Sequence, residues 1–100
     1  QANGAARRIT KIFEDDSEKI SKLKRAADSA RKVHDVMRQR PVVTVALVME
    51  LCDTTAPTAT NALYNLIDLK VVKEVTGKER GRVFAYTKYL EVLDEGTGSI

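Results

Sequence analysis

Four cations gather near the C-terminal end of the chain, Lys73, Lys78, Arg80 and Arg82, around the glycines Gly77 and Gly81. Cations on a tight, glycine-bearing turn can lie over a phosphate backbone or enter a minor groove. Upstream, Thr58, Thr60, Asn61, Tyr64 and Asn65 share one side of a prospective helix whose other side takes Ala59, Ala62, Leu63, Leu66 and Ile67. Asn and Thr on such a helix can hydrogen-bond base edges in a major groove. Residues 56–69, however, hold no Lys or Arg, and their only charge is Asp68. Affinity for DNA comes largely from neutralising phosphates, so this helix is poorly equipped to bind DNA by itself. Glu74 and Glu79 also offset part of the basic turn, and Arg82 has a structural alternative as a brace for the turn.

Other chemistries find less support. His34 stands beside Asp35 and reads as a helix-surface or partly buried side chain, not a ligand or base. Cys52 reads as a small core hydrophobe near a helix end. One cysteine and one histidine cannot build a four-ligand zinc site, and no nucleophile, base and orienting group form a set. Glu14, Asp15, Asp16 and the pair Asp94, Glu95 read as exposed helical faces. No catalytic, cofactor or metal residue is expected in this chain.

The elements that must position these residues follow from spacing. From Ala5 to Arg40 there is no proline, and apolar residues recur at Ile9, Ile12, Phe13, Ile20, Leu23, Ala27, Ala30, Val33 and Met37. That is the three-and-four spacing of a buried helical stripe. The spacing admits one long helix or two; two are favoured, with a break between Leu23 and Asp28 and an N-cap within 26–29. Pro41 stops the second helix. Val42-Val43 suits a short edge strand, and Thr44 can cap a helix from Val45 to Leu51. The turn 53–58 then opens a helix to about Leu69, giving a helix-turn-helix. Residues 71–75 and 82–86 read as a β-hairpin with a basic tip, and 88–94 as a last helix docking through Tyr89, Leu90 and Leu93. The expected architecture is mostly α with a small β-hairpin, a winged helix-turn-helix preceded by one or two N-terminal helices. Its division is 1–26, an N-terminal helical extension, and 27–100, the winged-helix unit with a short C-terminal helix.

One hundred residues, 43% hydrophobic and 31% charged, suit one compact unit and exclude a multidomain enzyme. Residues 1–40 carry eleven Lys and Arg against six Asp and Glu, a net +5, whereas residues 41–100 carry six against eight, a net −2. The basic half is not the half shaped like a nucleic-acid reader. No apolar run approaches the roughly 20 residues of a membrane span, no signal peptide is visible, and the lone cysteine suits a reducing cytoplasm. The chain begins at Gln1 and is expected to be a piece of a longer one.

From Ala5 to Thr97 the sequence resembles the C-terminal region of Fic (filamentation induced by cyclic AMP) family proteins. The resemblance is carried by Ala6-Arg7-Arg8-Ile9, Phe13-Glu14-Asp15-Asp16 and Arg40-Pro41-Val42-Val43-Thr44. It continues through Pro57-Thr58-Ala59 with Ala62-Leu63, and Val75-Thr76-Gly77 with Arg80-Gly81-Arg82-Val83-Phe84-Ala85-Tyr86. Tyr89-Leu90 with Leu93-Asp94-Glu95-Gly96-Thr97 complete it. The resemblance implies a parent whose helical catalytic domain moves AMP from ATP to a hydroxyl of a target protein through a His-Pro-Phe motif. His34 sits in Val33-His34-Asp35-Val36, so that motif is missing here and no catalytic residue carries over. ATP is implied for the parent and no cofactor for this fragment.

Two functions are expected in order. The first is a non-catalytic module that positions the parent's AMP-transfer domain by protein contact, with a protein target, with a second protomer in a homodimer, or with the missing catalytic domain of the same chain. Its self-association residues would be Ile9, Ile12, Phe13, Ile20 and Leu23, an apolar stripe that loses its cover once a catalytic domain is removed. The alternative is a DNA-binding, regulator-like winged helix using the 56–69 helix and the basic turn. Neither involves a membrane.

Overall fold

A computed structural model describes residues 2–76 and 81–96. The order is α1 (Ala2–Ser21), a single 3₁₀ turn (Lys24–Ala26), α2 (Ala27–Gln39), β1 (Val42–Thr44), α3 (Val45–Cys52), α4 (Ala56–Asp68), β2 (Lys73–Glu74), β3 (Val83–Ala85) and α5 (Thr87–Gly96). The fold is mostly α with a small antiparallel sheet, a winged helix-turn-helix running from α2 to β3 with α1 before it and α5 after it.

The N-terminal region is two helices, as the sequence favours. Backbone bonds from the amides of Lys22 and Leu23 to the carbonyls of Lys19 and Ile20 close the end of α1. Lys24 then takes a left-handed φ of 60° and α2 starts within one turn. The expected side-chain cap is not there: Ala26 stands at the N-cap without a side-chain acceptor. Asp28 lies inside the first turn, where its carboxylate faces the positive helix end and pairs with Arg31 at 3.4 Å. The expected boundary between 26 and 27 falls on this turn, yet α1 packs on both α2 and α5 across it.

Pro41 ends α2 at Arg40 and its carbonyl accepts from the Tyr86 amide at 2.8 Å. In the sheet β3 is central, with Val43 opposite Phe84 and Glu74 opposite Phe84 on the other side. Both hairpin strands are shorter than the sequence suggests. Val71 and Val72 are buried but belong to the end of α4, where Lys70 turns left-handed (φ 66°) and the amide of Val71 bonds the Leu66 carbonyl at 2.9 Å. A residue with positive φ after a helix lets the next amides satisfy the last carbonyls, and here a lysine fills the place usually given to glycine. The tip of the hairpin, 77–80, lies outside the described residues.

The core gathers Ile20 from α1, Val33 and Met37 from α2, Val43, Val48, Leu63, Leu66, Phe84 and Tyr86. α5 is longer than expected, and its buried residue is Val92, with Tyr89, Leu90 and Leu93 half-buried. Among the described residues no helix is long and apolar enough to cross a membrane.

Candidate functional site

The presenting surface is built by α4 and the sheet. α4 starts at Ala56 because the Thr55 hydroxyl accepts from the Thr58 amide at 3.4 Å and Pro57 sits in the first turn. Thr58 is thereby committed to the cap, its hydroxyl also 3.1 Å from that of Thr55. Asn61 is exposed, whereas Thr60, Tyr64 and Asn65 are half-buried. Tyr64 stands edge-on to Phe84, with centroids 6.1 Å apart. Arg82 donates to the Tyr64 hydroxyl and holds its guanidinium 5.9 Å from the ring centroid. The bracing role is thus the one the geometry gives Arg82. Tyr64 and Arg82 form one wall of a groove of about 280 Å³ that Thr44, Val45, Ala46 and Thr60 complete.

Of the expected wing cations, Lys73 is exposed on β2 and Arg82 is engaged with Tyr64. Lys78 and Arg80 lie outside the described residues. The structure therefore brings Thr60, Tyr64 and Arg82 together around one groove, and leaves Asn61 alone on open surface.

The apolar stripe of α1 is not a bare patch. Ile20 is fully buried, Ile12, Phe13 and Leu23 pack against the core, and Ile9 is half-buried. Phe13 touches Tyr89 of α5 at 4.9 Å between centroids, and the Arg38 guanidinium lies 5.5 Å from its ring centre. α2 and α5 of the same chain supply the cover that the sequence reading assigned to a missing partner.

Beneath that stripe lies a polar network that the sequence reading misplaced. Asp16 is 0% exposed, Tyr86 0% and His34 2%, so neither Asp16 nor His34 is a surface residue. Tyr86 donates to Asp16 Oδ2 at 2.6 Å, and His34 Nε2 lies 3.0 Å from the Tyr86 oxygen. The one hydroxyl proton is spent on the carboxylate, so His34 carries a proton on Nε2 and donates it to the Tyr86 oxygen. Lys88 reaches Asp16 Oδ1 at 3.0 Å and Lys19 at 3.5 Å, so the buried carboxylate keeps cationic partners at the rim. Burial, and then the Asp16 hydrogen bond, push the Tyr86 phenol far above its ordinary range. Burial, with Arg38 adding to it, pulls His34 below its ordinary 6.5.

Carboxylate, phenol and imidazole in line form a proton relay in outline. Here all three are sealed, and a relay acts only on a proton it can reach. The arrangement instead fastens α1 to α2, to α5 and to Tyr86 between β3 and α5. A signal for it existed: Asp16 falls three residues after Phe13 and four before Ile20, a polar residue in the apolar period.

Neither protein-family models nor characterised proteins match this chain.

Proposed function

We propose that the chain is a non-catalytic interaction module of a cytoplasmic protein, and that its parent is a Fic-like AMP-transferring enzyme of the kind it resembles. The module's partner is protein: the parent's catalytic domain, its target, or another copy of the chain. The observation carrying this reading is the character of the presenting surface. No Lys or Arg lies in α4, and Arg82, which stands against Tyr64 of that helix, is engaged with its hydroxyl. With no cation of its own to neutralise phosphates, a helix of this shape selects by fit and by hydroxyl and amide contacts.

A titration of a fluorescent duplex DNA with the chain, at low and at physiological salt, tests the reading. The expected result is no salt-sensitive binding. A steep salt dependence that Lys73→Glu and Arg82→Glu both flatten would replace it with the DNA-binding alternative. On the positive side, removing residues 27–100 from the parent is expected to reduce AMP labelling of its protein target while leaving self-labelling intact. Equal loss of both would refute a targeting role.

A further inference from the structure

The turn between α1 and α2 is a break that its own sequence does not ask for. Residues 21–27 read Ser-Lys-Leu-Lys-Arg-Ala-Ala, with no glycine, proline, asparagine or aspartate. All but the serine are good helix formers. Lys24 nevertheless holds φ at 60°, which a residue with a Cβ adopts at a cost that glycine avoids. Asp53 and Lys70 are also left-handed, but each follows a helix that must end, before the helix-turn-helix turn and before β2. At Lys24 a helix resumes at once.

The buried stripe passes straight through this break. Phe13, Asp16, Ile20, Leu23, Ala27 and Ala30 follow one another at three, four, three, four and three residues, and His34 and Met37 continue the pattern at four and three. On an unbroken helix these side chains would line one seam, the spacing by which two helices pack along their length.

We propose that α1 is an exchangeable arm: the 21–26 turn straightens, α1 and α2 become one helix, and α1 docks on α2 and α5 of a second copy of this chain. The occupant follows from the contacts themselves. α1 and α2 lie as a hairpin, so exchange between two copies reproduces every α1 contact without redesign. These include the Asp16 bonds to Tyr86 and Lys88, the Phe13 to Tyr89 contact and the Arg8 to Glu95 ion pair. Such an exchange closes on a two-fold axis and needs no new surface. Relief of the left-handed turn favours it. Opposing it are the association entropy and the gathering of exposed Lys22, Lys24 and Arg25 from both copies at the axis. The dimer is therefore strengthened by salt. This inference stands on the hinge and the stripe and is independent of the Fic resemblance.

The test is light scattering after gel filtration across a concentration series, on the whole chain refolded at high concentration. The expected result is a dimer that interconverts slowly with monomer and gains population with salt. Lys24→Gly relieves the turn and penalises the straight helix, so it is expected to weaken dimerisation roughly tenfold per chain, about a hundredfold in dissociation constant. In a Cys52→Ala background, one copy bearing Arg8→Cys and another bearing Glu95→Cys, refolded together, are expected to be joined by a short bismaleimide, whereas either copy alone is not. A monomer at every concentration overturns the proposal. So does a dimer indifferent to Lys24→Gly, or one in which the mixed pair fails to join.

Discussion

Replacing Tyr86 by phenylalanine removes a single oxygen from a side chain of nearly unchanged shape, so its packing against Phe13, His34 and Tyr89 is kept. What goes is the bond to Asp16 at 2.6 Å and the acceptor for His34 Nε2 at 3.0 Å. A hydrogen bond to a charged group contributes roughly 1.5–3 kcal/mol, and stranding a buried donor costs about 1–3 kcal/mol. Lys88 and Lys19 still face the Asp16 carboxylate and soften the first loss. A net cost of about 3 kcal/mol is expected, a large share of the 5–15 kcal/mol typical of a whole domain. Urea denaturation should show it as a midpoint lowered by roughly 1.5–3 M, for a slope of about 1–2 kcal/mol/M that does not change. Tyr89→Phe, at a half-buried ring edge-on to Phe13, is the comparison and should stay within about 0.5 kcal/mol of wild type. A double-mutant cycle of Tyr86→Phe with Asp16→Asn should give a coupling above about 1 kcal/mol. Additive losses, or a Tyr86→Phe cost no larger than that of Tyr89→Phe, would refute the claim that the network fastens α1.

Three further outcomes are expected. His34 is held below its ordinary 6.5 by burial, so the unfolded chain takes up its proton first as pH falls. Stability should therefore be full above about pH 7, decline as pH drops through the unfolded value near 6.5 and level off below the folded value; His34→Gln should flatten that window in a denaturation series at pH 5–7. Thr55→Ala removes the cap of α4 and should lower stability by about 1 kcal/mol, with amide exchange accelerated at Ala59 and its neighbours. Lys70→Gly should raise the thermal midpoint, by about 0.5–1 kcal/mol of stability, because φ 66° suits glycine and α4 ends there whatever the residue.

Where the sequence was a sufficient guide, the determinant was local. Pro41 has no amide hydrogen to donate, Thr44 and Thr55 cap the helices that follow them, and the alternation of small and large apolar residues in 59–67 picks the buried face of α4. Each acts within four residues. The network could not be read this way, because Asp16 and His34 meet Tyr86 across 70 and 52 positions. Three hydrophilic or amphipathic side chains, each innocuous alone, become a buried set only when α1 folds back. The same holds for the surface: Tyr64 and Arg82, 18 residues apart, are both candidate ligand contacts in the sequence, Arg82 with bracing as its alternative, and the fold turns them toward each other. The stripe of α1 was legible as apolar, but its cover was not, since Tyr89 of α5 meets Phe13 across 76 positions of the chain.

The network and the hinge act on different quantities, and this separates two effects that a single destabilised variant would blur. In the folded-back monomer and in an arm-exchanged dimer, each α1 meets the same Asp16, Tyr86 and Phe13 surroundings. Tyr86→Phe therefore weakens docking equally in both forms. It should lower the urea midpoint, leave the dissociation constant within about threefold, and speed exchange between the forms, because α1 must undock for either to convert. Lys24→Gly should do the reverse, moving the dissociation constant about a hundredfold with little change in the monomer's exchange barrier. Mixing two labelled copies and following the appearance of the mixed dimer measures both quantities at once. If Tyr86→Phe dissolved the dimer without hastening exchange, the copies would be meeting through a surface other than the arm, and the continuity of the 4-3 stripe through the turn would be an accident of composition.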